Sequence, residues 1–338
     1  MKRTLEVLVA TLALSTVGCV TNSSNLSSFA PLVNNQIADG KLDSVDDNVN
    51  PEEVQKLPQF SYMVISESKY KTSSGEELTL HSLGTANIYK DLGNKTYLST
   101  ANHVVQNEEV LFSLFKGRLE KVSEQFYLLE DDEVDRLHNL LRRFSAANMH
   151  QRLYVEDSSG NRKEPSNYII HTSDELKSLL KTIKPKKIKT VAQNEEKDLA
   201  VISVPKLQHP PLPYSIGNAD DLQRQNLLFV IGFPGGLFEN VTRGYVTVVN
   251  DSRLVRADPE TNFIFDASIS PGNSGGGIFA VRDGKLELVG ITSAMYLGGN
   301  DLYIGVKING ISDVFKGNSI RCTNGWKCNL SQAYELKL

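Results

Sequence analysis

Short β-rich runs, each closed by a turn signal, fill two stretches of this chain, and a charged segment of helical period divides them. The first stretch carries FSYMVISES, LTLHSLGTANIY, TYLSTANHVV and VLFSLF between residues 60 and about 114, with Asp91-Leu92-Gly93-Asn94 as one of its turns. The second resumes after residue 197 with DLAVISV, NLLFVIGF, GYVTVVN, FIFDASI, GGIFAV, KLELVGITSAM and LYIGVKI. Runs this short, spaced this closely, predict an all-β barrel or sandwich rather than alternating strand and helix. A length of 338 residues allows about two domains or one large all-β unit.

From residue 123 to about 190 the pattern changes. Val134, Leu137, Leu140, Leu141 and Phe144 recur at three- and four-residue steps, led by acidic residues and trailed by Arg142-Arg143, which predicts an amphipathic helix with favourable end charges. A second helix is expected over SDELKSLLKTI, with Thr172 and Glu175 at capping-box spacing and Pro185 beyond its end. The lysines at 181, 184, 186, 187 and 189 read first as a solvated basic edge and second as a patch for phospholipid or an acidic partner. The whole chain, with 36 basic and 40 acidic residues, has a net charge of −4, which gives no reason to expect a nucleic-acid partner.

The N-terminus begins with Lys2 and Arg3, continues through the apolar run Val7 to Leu14, and thins to Ser15-Thr16-Val17-Gly18-Cys19. A basic start and about ten apolar residues predict a secretory signal; a spanning helix needs about twenty. Gly18-Cys19 resembles the lipobox of bacterial lipoproteins, in which the cysteine is acylated and becomes the new N-terminus; the other reading is a secreted protein with an incidental Cys19. Val20 after the cysteine, by resemblance to enterobacterial sorting, points to the outer membrane. Residues 20–50 are rich in Asn, Ser and Asp without periodicity, which predicts a flexible tether over 19–58. Cys322 and Cys328 flank Asn324-Gly325, and in an oxidising envelope compartment they are expected to close a small disulfide loop. A metal site would need more Cys or His ligands nearby, so no metal is expected.

Three separated segments point to one chemistry. In Pro271-Gly272-Asn273-Ser274-Gly275-Gly276-Gly277, glycines on both sides of Ser274 allow a sharp turn that exposes its hydroxyl and gathers N–H groups; alone, the segment could be a flexible turn. His103, at the end of the run Leu98 to Val105, supplies an imidazole able to accept and return a serine proton, and His81, His138, His150, His171 and His209 lack such a context. Asp198 directly precedes an apolar strand, where it can hold an imidazole tautomer or simply open a turn.

Taken together and in this order, TANHVV, DLAVI and SPGNSGGGIF resemble the motifs of trypsin-like serine endopeptidases, nearest the bacterial HtrA-type and glutamyl-endopeptidase-like branch. VIGFPGG at 230–236 and VGITSAM at 289–295 extend the resemblance over roughly residues 60–315. It implies an all-β fold of two six-stranded antiparallel barrels, a nucleophile at Ser274, a general base at His103, an orienting carboxylate at Asp198, and an oxyanion hole from the N–H groups of Gly272 and Ser274. Thr292, Ser293 and Ala294 would form the strand edge that pairs with an extended peptide, and Ser268 would lie at the base of the specificity pocket. Neither Ser268 nor Thr292 is charged, which favours small or medium apolar side chains in the substrate; no cofactor is implied.

The interval from His103 to Asp198 is much longer than usual in that family, so residues 123–190 read as a mainly helical insertion in the first barrel. The expected organisation is a signal at 1–18, a tether at 19–58, a first barrel at 59–205, a second at 206–315, and a tail at 316–338 too short for a PDZ module. The function expected from the resemblance is a membrane-anchored envelope endopeptidase acting on protein or peptide. A catalytically idle relative that binds a partner at the membrane is the alternative. An esterase is disfavoured because the serine motif is not GxSxG between strand and helix.

Overall fold

The structure is a computed structural model, and it describes residues 40–44, 49–71, 75, 77–106, 120–130, 133–137, 155–156, 162–163, 168–171, 174–183, 185–236, 238–251, 258–296 and 301–311. Cys19, Cys322, Cys328, the run VLFSLF and the C-terminal part of the first expected helix lie outside the described residues.

The first sheet is built on β1 (Ser61–Lys71), which pairs antiparallel with β2 (Glu77–Leu92) on one side and β4 (Glu120–Leu129) on the other. β2 turns through Gly93, in the left-handed region, into β3 (Lys95–Thr100), and β3 pairs with β10 (Leu199–Pro205). The two ends of this half-barrel are met by consecutive pieces of one run: β8 (Lys186–Lys187) pairs with β4, and β9 (Lys189–Asn194) pairs with β10. The expected first six-stranded barrel is therefore a half-barrel: β8 and β9 end the sheet without pairing to each other, and only the chain at Ile188, whose N–H donates to the Phe126 carbonyl at 3.0 Å, runs from one end to the other.

The insertion is narrower and more mixed than the sequence indicated. Residues 120–129 are a barrel strand held by nine register partners on β1, and 186–194 belong to the sheet, so the insert lies between them. Within it are a helical turn at 133–137, the short pair β5 (Val155–Glu156) and β6 (Arg162–Lys163), strand β7 (Tyr168–His171) on the edge of β2, and helix α3 (Asp174–Ile183). Val134 and Leu137, one helical turn apart, are buried with Leu180 and Ile183 of α3 against Met63, Ile65 and Leu129 of the sheet. Period-3.6 patterning found the helices, but cross-strand pairing with β1 and β2, which has no local signature, decided the rest.

The second sheet follows β11 (Tyr214–Ile216), β16 (Lys285–Met295), β15 (Gly277–Arg282), β12 (Leu227–Gly232), β13 (Asn240–Val249), β14 (Asn262–Phe265) and β17 (Tyr303–Lys307), and β17 returns to β16. Six antiparallel strands thus close a barrel, with β11 added parallel to β16. One apolar cluster joins both sheets, containing Val64, Leu98 and Leu199 from the first and Leu227, Phe279 and Leu286 from the second.

The expected tether at 19–58 is shorter than its composition implied. Leu42 bridges to Arg282 of β15, Asp43 exchanges backbone bonds with Val281 and Leu227, and Leu42 is buried in the second barrel's core. Further on, Asn50 caps helix α1 (Pro51–Lys56) through a bond from Glu52 N–H at 3.0 Å, and Leu57 beyond it is fully buried. Among the described residues no helix is long and apolar enough to cross a membrane.

Candidate active site

His103 is carried by the one-turn helix α2 (Asn102–Val105), which follows β3 directly, so the ring is held at the end of a buried strand rather than within it. Asp198 occupies the last turn position before β10, with φ 48°, a left-handed backbone that Asp adopts more readily than most residues. β3 and β10 are paired neighbours, with Thr100 opposite Ala200, and this register brings the two side chains together. His103 Nδ1 lies 2.9 and 2.8 Å from the two Asp198 oxygens, and the His103 backbone N–H donates to Oδ1 at 2.9 Å. Ser293 Oγ donates to Asp198 Oδ2 at 2.6 Å. Burial works to raise the Asp198 pKa, but the charge of His103 and the hydrogen bonds from His103 and Ser293 outweigh it and hold the carboxyl below its ordinary value. With the carboxylate on Nδ1, the imidazole presents Nε2 to a reacting group.

Ser274 lies on the turn between β14 and β15 and is half-buried. Among the described residues its hydroxyl has one partner, the Ser293 carbonyl at 3.4 Å. Ser293 therefore joins both groups: its carbonyl receives Ser274 and its hydroxyl serves Asp198. It is the extra residue at a register shift between Thr292 and Ala294, a bulge that turns its side chain out of the ladder. Ser293 is expected from its sequence only on the substrate-pairing edge; this contact has no local signal, because a hydroxyl beside a bulge leaves none.

The turn around Ser274 is fixed peptide by peptide. The carbonyl of Pro271 accepts from Gly235 N–H at 2.7 Å, that of Gly272 from Thr85 Oγ1 at 2.9 Å, that of Asn273 from Gly276 N–H at 2.8 Å and from Thr292 Oγ1, that of Ser274 from Thr85 N–H at 2.7 Å, and that of Gly275 from Asn87 Nδ2 at 2.9 Å. The N–H groups of Asn273, Gly275 and Gly276 are also taken. Among the described residues, those of Gly272 and Ser274 have no acceptor. Gly272 has φ +102°, and a Cβ there would stand 2.3 Å from the Phe233 carbonyl oxygen, so a side chain would displace the turn. Gly84 likewise leaves room for Val104 of the histidine helix and for the Ser274 carbonyl, 2.6 and 3.1 Å from where its Cβ would be.

The expected specificity residues divide. The Thr292 side chain is fully buried, donates to the Asn273 carbonyl and accepts from Gly276 N–H at 3.1 Å, so it braces the turn and does not face a pocket. Ser268 is exposed, which does not fit the base of an enclosed pocket. Ala294 and Met295 are exposed at the end of β16, Met295 at 56%. His81 and His209 sit apart on carboxylates, Glu67 at 3.2 Å and Asp91 at 3.1 Å. Of the basic run, Lys186 pairs with Glu130, while Lys181 and Lys187 line a cleft of ≈ 600 Å³ with Glu67, Lys69 and Tyr127 that none of His103, Asp198 and Ser274 lines. Among the described residues no group of three His, Cys, Asp or Glu side chains could hold a metal ion.

Residues 150–291 match the family model of the trypsin-like peptidase domain, a span that includes Asp198 and Ser274. The chain is 35% identical over 119 residues to a probable periplasmic serine endoprotease, DegP-like, of Chlamydia trachomatis, covering 35% of this chain and 22% of that protein. It is 27% identical over 146 residues to the periplasmic pH-dependent serine endoprotease DegQ of Escherichia coli, covering 42% of this chain and 31% of that protein. The chain thus spans less than a third of the length of these two relatives. Among solved structures it is similar to the HtrA-type protease AlgW with tripeptide, at 20% identity and a TM-score of 0.42, covering 77% of this chain and 60% of that one.

Proposed function

We propose, for a chain whose residues 150–291 match a trypsin-like peptidase domain and which resembles DegP-like endoproteases over about a third of its length, that the protein is a lipid-anchored serine endopeptidase of the bacterial envelope. The observation that carries the reading is a His103–Asp198 pair joined through Ser293 to a serine turn in which, among the described residues, the N–H groups of Gly272 and Ser274 alone are without an acceptor from Gly272 to Gly276.

Ser274 Oγ attacks the scissile carbonyl carbon while His103 Nε2 takes the hydroxyl proton, and Asp198 stabilises the imidazolium that forms. The tetrahedral oxygen gathers negative charge between the N–H groups of Gly272 and Ser274. His103 returns the proton to the leaving amine, the C–N bond breaks, and an acyl ester remains on Ser274. Water, deprotonated by His103, then cleaves that ester and restores the serine. The backbone at 293–295 pairs with the extended substrate. The exposed Ala294 and Met295 beside the serine fit small or apolar side chains in the substrate. The envelope assignment rests on the N-terminal signal ending in Gly18-Cys19, with Cys19 as the lipid attachment point and Cys322–Cys328 as a disulfide, and on relatives whose names place them in the periplasm.

The alternative, a partner-binding protein with an idle site, draws on the Ser274 hydroxyl being bonded to a carbonyl rather than to the imidazole. A fluorophosphonate probe separates the two. Labelling of the membrane fraction is expected for the native chain and lost in Ser274→Ala, and Cys19→Ala is expected to move the labelled protein into the soluble fraction. A folded chain that stays unlabelled from about pH 6 to 9, where a histidine base is competent, favours the idle reading.

A further inference from the structure

We propose that Thr85, on β2 of the first half-barrel, is a positioning residue that sets the oxyanion geometry of the serine turn; this rests on the peptidase reading above. Thr85 makes two bonds to the turn and a third to the segment beside it. Its hydroxyl donates to the Gly272 carbonyl at 2.9 Å, its backbone N–H donates to the Ser274 carbonyl at 2.7 Å, and its hydroxyl accepts from Phe233 N–H at 3.2 Å. The last contact holds the segment bearing Gly235, whose N–H in turn fixes the Pro271 carbonyl at 2.7 Å. A peptide unit is planar and trans, so fixing a carbonyl also fixes the following N–H, which points the opposite way. The Pro271 carbonyl therefore aims Gly272 N–H, and the Gly272 carbonyl prevents the next peptide from turning over in its place.

A hydroxyl has one proton to donate and lone pairs to accept with, and Thr85 uses both functions on buried partners. The residue itself is fully buried, and its own carbonyl accepts from Thr100 Oγ1 at 2.7 Å, so its orientation is set by the strand that leads into the histidine helix. The same strand end thus aligns the base and, through Thr85, the oxyanion donors. Asn87, two residues along the same face of β2, adds a bond to the Gly275 carbonyl and is itself held by Ser61 at 2.6 Å. Gly272 has the left-handed backbone that makes its peptides easy to flip without such bonds.

The experiment compares Thr85→Val, Thr85→Ser and the unaltered full chain, using a peptide ester for turnover and a peptide boronate with an alanine-like side chain, whose tetrahedral adduct places an oxygen where the oxyanion forms. Thr85→Val is expected to lower kcat by about 10–100-fold with KM changed less than about threefold, and to weaken the boronate by a similar factor, because the loss falls on the tetrahedral state. Thr85→Ser, which keeps the hydroxyl, is expected to recover both to within about threefold of the unaltered chain. Should the valine chain not fold, Thr85→Ala, which keeps the backbone bond to Ser274 and removes volume rather than polarity alone, takes its place. Turnover retained without the hydroxyl, a kcat loss with boronate affinity unchanged, or failure of serine to rescue overturns the inference while leaving the peptidase reading intact. An unaltered chain that neither turns over ester nor reacts with the probe overturns the peptidase reading, and this inference with it.

Discussion

Asp198 is the residue on which most of the candidate site converges: both its oxygens face the His103 ring, one also receives the His103 backbone N–H and the other the Ser293 hydroxyl. A carboxyl held below its ordinary pKa in the fold stabilises the native state above its unfolded pKa, and that contribution is lost as pH falls through the lower native value. Ser293→Ala removes one of the bonds that hold it down, so the native pKa rises toward the ordinary value, the contribution at neutral pH shrinks, and less of it remains to be lost on acidification. The expected result is a urea midpoint lower in Ser293→Ala at neutral pH, by about 1.5–3 kcal/mol, with the gap to the parent narrowing as pH falls from about 5 to 3 because the parent has more of this contribution to lose. Profiles from pH 6 to 3 that differ only by a constant offset would count against it. His103, Asp198 and Ser274 were legible because each stands in a local word whose residue types the chemistry requires. Ser293 and Thr85 act through a bulge and a cross-barrel hydrogen bond, and nothing within five residues of either announces that.

At the scale of the element, the least legible piece was the segment at 40–44. Its surroundings are polar and aperiodic, and it is fixed by one buried leucine, by Asp43 backbone bonds at 2.7 and 2.9 Å, and by Arg282, which donates to the Gly40 carbonyl while pairing with Asp221 at 2.8 Å and Glu287 at 3.0 Å. None of these shows in composition. Because Leu42 packs in the second barrel's core, Leu42→Ala is expected to cost about 2 kcal/mol, the low end for a leucine truncation since the site borders solvent, and to lower the melting temperature by a few degrees. Circular dichroism melts of chains beginning at 38, with and without the substitution, measure this; probe labelling at 25 °C should be the same in both. An unchanged melt would return the segment to the tether. The insertion failed differently: its helical period was read correctly, but strands of two to four residues such as β5, β6 and β7 are too short for alternation to register.

At the scale of the whole molecule, the boundary expected at 205/206 divides strands but not the core. The Tyr214 hydroxyl, from β11, donates to the Ile88 carbonyl of β2 at 2.6 Å, and its ring stands edge-on to Phe60 at 5.9 Å and against Phe279 of β15 at 4.8 Å. Leu207 N–H donates to Thr96 Oγ1 at 3.0 Å, and Thr85 and Asn87 reach from the first half-barrel to the turn of the second. Removing either half would expose apolar surface of the shared cluster and strip partners from buried carbonyls at 272, 274 and 275, each a cost of about 1–3 kcal/mol against a total stability of about 5–15 kcal/mol. Neither half is therefore expected to fold alone. The second barrel expressed as residues 206–311 is expected to lack the near-ultraviolet signal and sharp melt of a packed core, and the chain from 38 onward is expected to unfold in urea in one transition, coincident by far-ultraviolet dichroism and tyrosine fluorescence. Two separated transitions, or a cooperative melt of 206–311 alone, would show that the barrels are independent. In that case the bonds from β2 could not govern the serine turn by holding it in a single packed unit.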